Sequence, residues 1–413
     1  MTETTPARIA ALDITRGFAV MGILLMNIVS FGMPENAYIS PLAWGQPSDA
    51  DIGVWAASFV LVDSKMRALF SMMFGASTLL VIDAARAAGR AEGRSHYTRM
   101  GVLAIFGLVH YYVIWTGDIL FNYACAGAIL FFFRNMGVKG LTFFGCIFIL
   151  LNFMLLTAGL GSLMLADMPG APETLAIDAA NMRATLAPNS AESVENMRVI
   201  LGGLGSILHE NLVLNPFGPL TATLTYLAET LGLMLIGMAL YKSGLLRGEW
   251  AEARRRSWLV AGFVIGLVGN IALLIWQFAR GLDAIVVVYA TLGASVPFDV
   301  VMTIAYAALF IGLAQRFAGS AFMARMASVG RAAFTNYLGT SILMTAIFYG
   351  WGLGLFGSLP RIALYPFVLG TWAIMLLWSK PWLDRFQYGP LEWLWRSLSR
   401  GALQPMRRGA AAH

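Results

Sequence analysis

Apolar residues fall along this chain in long blocks, separated by short stretches rich in charge, glycine or proline. A membrane-spanning helix needs roughly 20 mostly apolar residues. Ten runs qualify: residues 17–33, 52–82, 100–116, 118–133, 140–160, 220–241, 257–279, 285–314, 332–350 and 361–379. The pattern predicts an all-α fold, a polytopic membrane helical bundle of about ten transmembrane helices. Runs 52–82 and 285–314 exceed one crossing, so they either tilt or break, the first near a charged cluster and the second near Pro297. Broken helices are tolerated only where they line protein or water, which places both at a cavity. Residues 161–219, between the fifth and sixth runs, form the one large external excursion. Its stretches Thr174 to Leu186 and Ala191 to Leu214 read as amphipathic helices on the membrane surface or over a pocket mouth. No internal repeat of the kind that marks inverted-repeat transporters is evident.

Composition agrees: 58% of the 413 residues are hydrophobic and 12% charged, with a mean hydropathy of +0.70. The chain reads as one integral membrane domain, 1–413, with a cytoplasmic tail at 380–413. Cys125 and Cys146 lie in apolar runs and offer neither a disulfide framework nor a metal cluster, so no metal is expected. The net charge of +6 resides in alternate loops rather than in one basic domain, which argues against nucleic acid. Arg8 and Arg16 precede the first span; Arg86, Arg90, Arg94 and Arg99 follow the second. Arg134 and Lys139 follow the fourth, and Lys242, Arg247 and Arg254 to Arg256 the sixth. Arg316, Arg325 and Arg331 follow the eighth, and the tail is basic again. Ten spans with both termini in the cytoplasm satisfy the positive-inside rule throughout. The run after Arg16 lacks a cleavage pattern and reads as a retained first helix.

Against this apolar background a few polar residues stand out. The stretch FVLVDSKMRALFSMMFG, Phe59 to Gly75, carries Asp63, Lys65 and Arg67 at membrane depth. A charge at the bilayer centre costs about 2.5–3.5 kcal/mol on insertion scales, so each needs a partner or water. Asp63 and Arg67, four residues apart, can pair on one helical face. Lys65 points elsewhere and must meet a distant acid, Glu229 or Asp299. By helical rise, Asn27, His110, Glu229 and Asp299 fall in the same layer, as residues lining one shared cavity would. Each has a plainer alternative: Asn27 as an interhelical hydrogen bonder, Asp63 and Arg67 as a structural pair, His110 as a buried neutral ring. His110 is expected to be the only histidine within a span. His96 is assigned to a cytoplasmic loop, His209 to the external segment and His413 to the terminus. The functional reading of His110 is proton transfer near neutral pH. Asp118 closes a tight external turn, as helix N-cap or as a catalytic acid. The tryptophan-rich GPLEWLWR, Gly389 to Arg396, reads as an interfacial anchor.

The segments ARIAALDITRGFAVMGILLMNI (Ala7 to Ile28), KMRALFSMMFG (Lys65 to Gly75), GLVHYYVIWTGDIL (Gly107 to Leu120), VGRAAFTNYL (Val329 to Leu338) and YGPLEWLWR (Tyr388 to Arg396) carry a resemblance. In this order they resemble the YeiB-like family of bacterial inner-membrane proteins, also known as domain of unknown function 418. Its first helices are similar to the transmembrane acyltransferase superfamily, which includes the lysosomal heparan glucosaminide acetyltransferase and bacterial sugar O-acetyltransferases. Leu12-Asp13, Arg16-Gly17 and Asn27 match that opening pattern.

The resemblance implies transfer of an acyl group from cytoplasmic acyl-CoA to a hydroxyl or amine acceptor at the external face. In relatives of the heparan enzyme a histidine follows the first helix; Asn36 to Trp44 has none, so that role falls to His110. In this scheme His110 is the general base, Asp118 or Glu229 orients it, and Lys65 or Asn27 stabilises the oxyanion. Asp63, Arg67 and Asp299 line the acceptor site. Arg16, Arg86, Arg254, Arg255 and Arg331 hold the CoA phosphates. Expected partners are membrane lipids, a small-molecule, glycan or lipid acceptor, and a second copy in a homodimer. The alternative class is a proton-coupled transporter or exporter of a small solute, with Lys65, Glu229 and Asp299 as relay.

Overall fold

A computed structural model describes residues 6–408; the side chain of Arg8 and His413, both used above, lie outside the described residues. The described residues are predominantly helical, with no strand among them beyond a single bridge between Phe386 and Arg407. Its first helices are α1 (Pro6–Gly32), α2 (Glu35–Ile39), α3 (Asp49–Leu61), α4 (Lys65–Ala87), α5 (Glu92–Val109) and α6 (Leu120–Leu130). There follow α7 (Val138–Leu163), α8 (Glu173–Thr185), α9 (Ala191–Leu201), α10 (Leu204–His209), α11 (Gly218–Lys242) and α12 (Glu252–Ala279). The last six are α13 (Ala284–Tyr289), α14 (Val296–Arg316), α15 (Ala321–Arg331), α16 (Ala333–Phe348), α17 (Tyr365–Arg385) and α18 (Pro390–Arg400).

Eight helices among the described residues are long and apolar enough to cross a membrane, which makes this a multi-pass membrane protein. The fourth and ninth expected spans correspond to shorter apolar helices, Leu120–Phe133 and Ala333–Phe348. Both overlong runs prove broken. α3 and α4 are parted at 62–64, where Ser64 takes a left-handed φ of 61°. α13 and α14 are parted by a π-helical turn at 290–294, just before Pro297. The stretch expected as one helix over 191–214 is bent by 120° between α9 and α10, at Gly202 and Gly203. Gly203 has a φ of 88°, open to glycine and strained for other residues.

α1 is the central post and packs on α4, α14, α15, α16 and α17; α11 packs between α4, α6 and α7. The close crossings use glycine, as membrane helices do where backbones approach. A Cβ on Gly75 of α4 would lie 2.0 Å from the Met234 carbonyl oxygen, and one on Gly237 of α11 would lie 2.0 Å from that of Met72. α1 and α15 meet in the same way at Gly17 and Gly330.

α1 also separates two ends of the bundle with opposite charge. Arg16 lies in the half of α1 near its start, together with Arg331 at the end of α15. Beyond its far end lie Glu35 and the 161–219 segment, which is bound down over that end. Asn36 Nδ2 donates to the Thr185 carbonyl at 2.9 Å, the Asn189 amide donates to the Ala43 carbonyl at 2.9 Å, and Arg183 pairs with Asp167 at 2.7 Å and Asp283 at 3.2 Å.

Candidate functional site

The polar layer expected to line one cavity is instead divided into three separate pairs. Asp63 and Arg67 do not pair: Asp63 lies in the break between α3 and α4, while Arg67 is in the first turn of α4. Asp63 accepts from Ser58 Oγ at 3.0 Å, while Arg67 Nη2 donates to both oxygens of Glu229 on α11, at 3.0 and 3.2 Å. Lys65 meets Asp299, one of the two acids expected, at 2.7 Å. Lys65 Nζ also donates to the Phe59 carbonyl at 2.6 Å, an orphan acceptor at the end of α3. Asn270 Nδ2 donates to Asp299 at 3.1 Å. Lys65 is 1% exposed and Asp299 3%, so this cluster is sealed.

The third pair is different. His110 Nδ1 lies 2.8 Å from Asp118 Oδ1, and both side chains are fully enclosed. Asp118 Oδ2 accepts the Phe121 amide at 2.8 Å, so the carboxylate also caps α6. Of the two roles offered for Asp118, the helix-capping one is met by Oδ2, while Oδ1 faces His110. Local backbone geometry brings the pair together. His110 opens a π-helical turn, 110–114, closed by Trp115 N donating to the His110 carbonyl at 2.7 Å. Gly107, one turn earlier, lets α5 touch the start of α6: a Cβ there would lie 2.3 Å from Phe121 N. Facing an ionised carboxylate, which only accepts, Nδ1 is the donor, and in a neutral ring Nε2 then presents a lone pair. That Nε2 is buried without a hydrogen-bond partner. A buried polar atom left unmet asks for an explanation, and a base awaiting its substrate is one.

Two aromatic rings flank His110: Trp115, with ring centroids 6.1 Å apart, and Tyr337, at 5.4 Å. Each lines a different cavity. Tyr337 lies in the wall of a cavity of about 340 Å³ at the basic end, with Arg16, Arg99, Arg331 and Arg396 around it. Trp115 lies in the wall of an 850 Å³ cavity at the acidic end. The dyad therefore stands one ring away from each of two chambers. The Tyr337 hydroxyl is also buried, with the Ile119 backbone as its neighbouring polar group. Asn27 is joined to the site only through Tyr337, with which it shares a void of about 10 Å³.

Of the arginines assigned to a phosphate site, Arg16 and Arg331 line the basic cavity. Arg16 is held by Asp13 at 2.9 Å and Ser77 at 2.8 Å. The others are elsewhere: Arg86 pairs with Glu92 at 2.6 Å, Arg254 lies over Trp250 at 3.9 Å, and Arg255 donates to Gln315 at 2.7 Å. Arg99 and Arg396 take their place. Arg99 lies over the Trp395 ring at 4.4 Å, and Trp395 Nε1 donates to the Arg99 carbonyl at 3.0 Å. His96 is not in a loop. It is buried in α5 with a ring nitrogen 2.8 Å from the Gly127 carbonyl, because α5 begins at Glu92 and turns His96, Met100 and Leu103 inward at helical spacing.

GPLEWLWR is more than an interfacial anchor. Glu392 accepts the Phe334 and Thr335 amides at 2.7 and 3.0 Å and the Thr335 hydroxyl at 2.5 Å, capping α16 from another helix. Burial pushes the Glu392 carboxyl above the usual carboxylate range, while the Thr335 hydroxyl and backbone bonds pull it back. Glu392→Ala is expected to destabilise the protein by about 1–3 kcal/mol, since it strands these buried donors. A thermal melt in detergent reads this; an unchanged midpoint would contradict the capping role.

No solved structure matches the chain. The family profile described as "Protein of unknown function (DUF418)" matches residues 240–402. YeiB of Escherichia coli K12 is 33% identical over 96% of this chain and 98% of its own length. YxaH of Bacillus subtilis 168 is 27% identical over 98% and 97% respectively. A 39.9 kDa protein from the amylase 3′ region of Bacillus acidopullulyticus is 23% identical over 95% and 94%. With a full-length relative at this identity, the chain belongs to the YeiB-like, DUF418 family.

Proposed function

We propose that this protein is a membrane-embedded acyltransferase of the bacterial inner membrane, with its basic end and both termini in the cytoplasm. The observation that carries the reading is the His110–Asp118 dyad, with a free Nε2, standing between a basic cavity and an acidic one. The basic chamber suits an acyl-CoA donor: guanidinium groups pair with phosphate, and the apolar Phe70, Phe74, Leu103 and Leu120 further in suit the pantetheine arm and acyl chain. The acidic chamber, facing outward, holds the acceptor.

Nε2 takes the proton from the acceptor hydroxyl or amine as its oxygen or nitrogen attacks the thioester carbonyl. The new C–O or C–N bond forms and the C–S bond breaks. The proton on Nε2 then passes to the leaving thiolate, so free CoA departs as a thiol. Asp118 keeps Nδ1 protonated and orients the ring, as the third member of a triad does. Lys65, offered as an oxyanion donor, is taken up by Asp299 and Phe59; the Tyr337 hydroxyl, beside His110 and in the wall of the basic cavity, is the better placed group. Membrane vesicles exposing the cytoplasmic face, supplied with acyl-CoA labelled in the acyl group, test the reading. Label should move to a membrane or lumenal product with equimolar release of CoA.

Two chambers on either side of the dyad also suit alternating access, which keeps a transporter as the second reading. Solute flux in proteoliposomes with no acyl donor present would favour it.

A further inference from the structure

The acidic chamber is built for a charge of one sign. No Lys or Arg side chain lines its 850 Å³, and four glutamates do. Two are already engaged: Glu195 pairs with Arg198 at 2.5 Å, and Glu210 accepts from Asn215 Nδ2 at 2.8 Å. The carboxylates of Glu35 on α2 and Glu192 on α9 have neither a counter-ion nor a hydrogen-bond donor among the described residues. Both side chains are open to solvent, and partial desolvation together with the nearby Glu192 carboxylate pushes the Glu35 carboxyl above the ordinary carboxylate range. Like charges brought together without a partner favour a cation between them.

The walls point the same way independently. Tyr111, Trp115, Tyr226 and Tyr349 line the chamber. Trp115 is 5% exposed and Tyr349 3%, yet neither the indole N–H nor the phenol hydroxyl has a hydrogen-bond partner among the described residues. Aromatic faces attract an ammonium or alkylammonium group, more strongly when water is excluded. The chamber is far larger than a bare metal ion needs, and no group of three His, Cys, Asp or Glu that could hold a metal occurs among the described residues. It is also sized like the small-molecule clefts of proteins in general.

We propose that this chamber binds an organic ammonium, its charge between Glu35 and Glu192 and its body against the aromatic walls, and that this ligand is the acyl acceptor. The second half rests on the acyl-transfer reading; the first does not. In the chamber Glu35 and Glu192 hold the amine end, and the acylated atom is whichever amine or hydroxyl reaches His110.

The test is calorimetry on the purified full-length protein without any acyl donor, using spermidine as probe and triethylene glycol as an uncharged control of similar length. Spermidine is expected to bind saturably and triethylene glycol not to bind. Glu35→Gln with Glu192→Gln should weaken spermidine binding at least ten-fold, and Tyr349→Phe several-fold. Glu173→Gln, on the exposed start of α8, should leave it unchanged. Absence of spermidine binding, or equal binding to the double variant, would overturn the proposal, as would equal binding of the uncharged control. If the double variant does not fold, Tyr349→Phe and the loss of binding at high salt carry the test. Spermidine binding without acyl-CoA binding would sink the transfer reading and leave the cation site. The reverse would leave transfer and overturn the cationic acceptor.

Discussion

His110→Gln is expected to lower acyl transfer by roughly 10²–10⁴-fold, the usual contribution of a positioned general base, while the protein melts as the wild type does. Fold and chemistry separate at this residue because the ring makes one hydrogen bond, to Asp118. Asp118 keeps its bond from Phe121 when the ring is gone, so the cap of α6 survives. Asp118→Asn is the companion variant: an amide can present its NH₂ to Nδ1, which favours the wrong tautomer and strips Nε2 of its lone pair. Both variants should still bind acyl-CoA. If His110→Gln transfers label at the wild-type rate, the dyad is not the base and the site must be sought elsewhere.

Lys65→Met is expected to be the most destabilising single change, by about 3–5 kcal/mol, since it leaves Asp299 charged, enclosed and short of a partner. The neutral Asn270 amide, at 3.1 Å, and the Ser295 hydroxyl would then face the carboxylate without a countercharge. Replacing both partners by apolar residues of similar size, Lys65→Met with Asp299→Leu, should recover most of the loss, because desolvation weighs on both charges in the native pair. The double variant should also retain transfer activity. Thermal melting in detergent and the label assay read the two parts. A double variant that is stable but inactive would instead mark the pair as a proton or substrate relay, as the transport reading has it.

Much of this architecture was legible in the apolar blocks, because in a bilayer hydropathy and helix are nearly the same signal. The two overlong runs were rightly suspect, and Pro297 marked one break to within a few residues. The charged cluster Asp63, Lys65 and Arg67 marked the other, at Ser64, though nothing in it foretold a left-handed serine. A left-handed serine is set by packing around it, and it left Asp63 in the break, out of reach of the i, i+4 pairing with Arg67 that a continuous helix would allow. Lys65 could be narrowed to two acids by depth alone; choosing Asp299 required the crossing of α4 and α14.

The site was half legible. His110 and Asp118 lie eight residues apart across one tight turn, and their pairing follows from local geometry. Tyr337, Arg99, Arg396 and Glu392 were passed over because their residue types are ordinary where they occur. A tyrosine in an apolar helix or an arginine near an interface has many plainer uses. The acidic chamber was hidden for another reason: Glu35, Glu192, Glu195 and Glu210 come from segments far apart in the chain, and only the fold over α1 gathers them.

The most direct measurement of the central claim is titration of the purified protein with acetyl-CoA and longer acyl-CoAs, by calorimetry and thermal shift. Saturable binding is expected, lost or weakened at least ten-fold in Arg16→Ala and Arg331→Ala, and unchanged in Arg86→Ala, whose side chain lies outside the basic cavity. Folded protein that binds no acyl-CoA would contradict the account, and so would binding indifferent to Arg16 and Arg331.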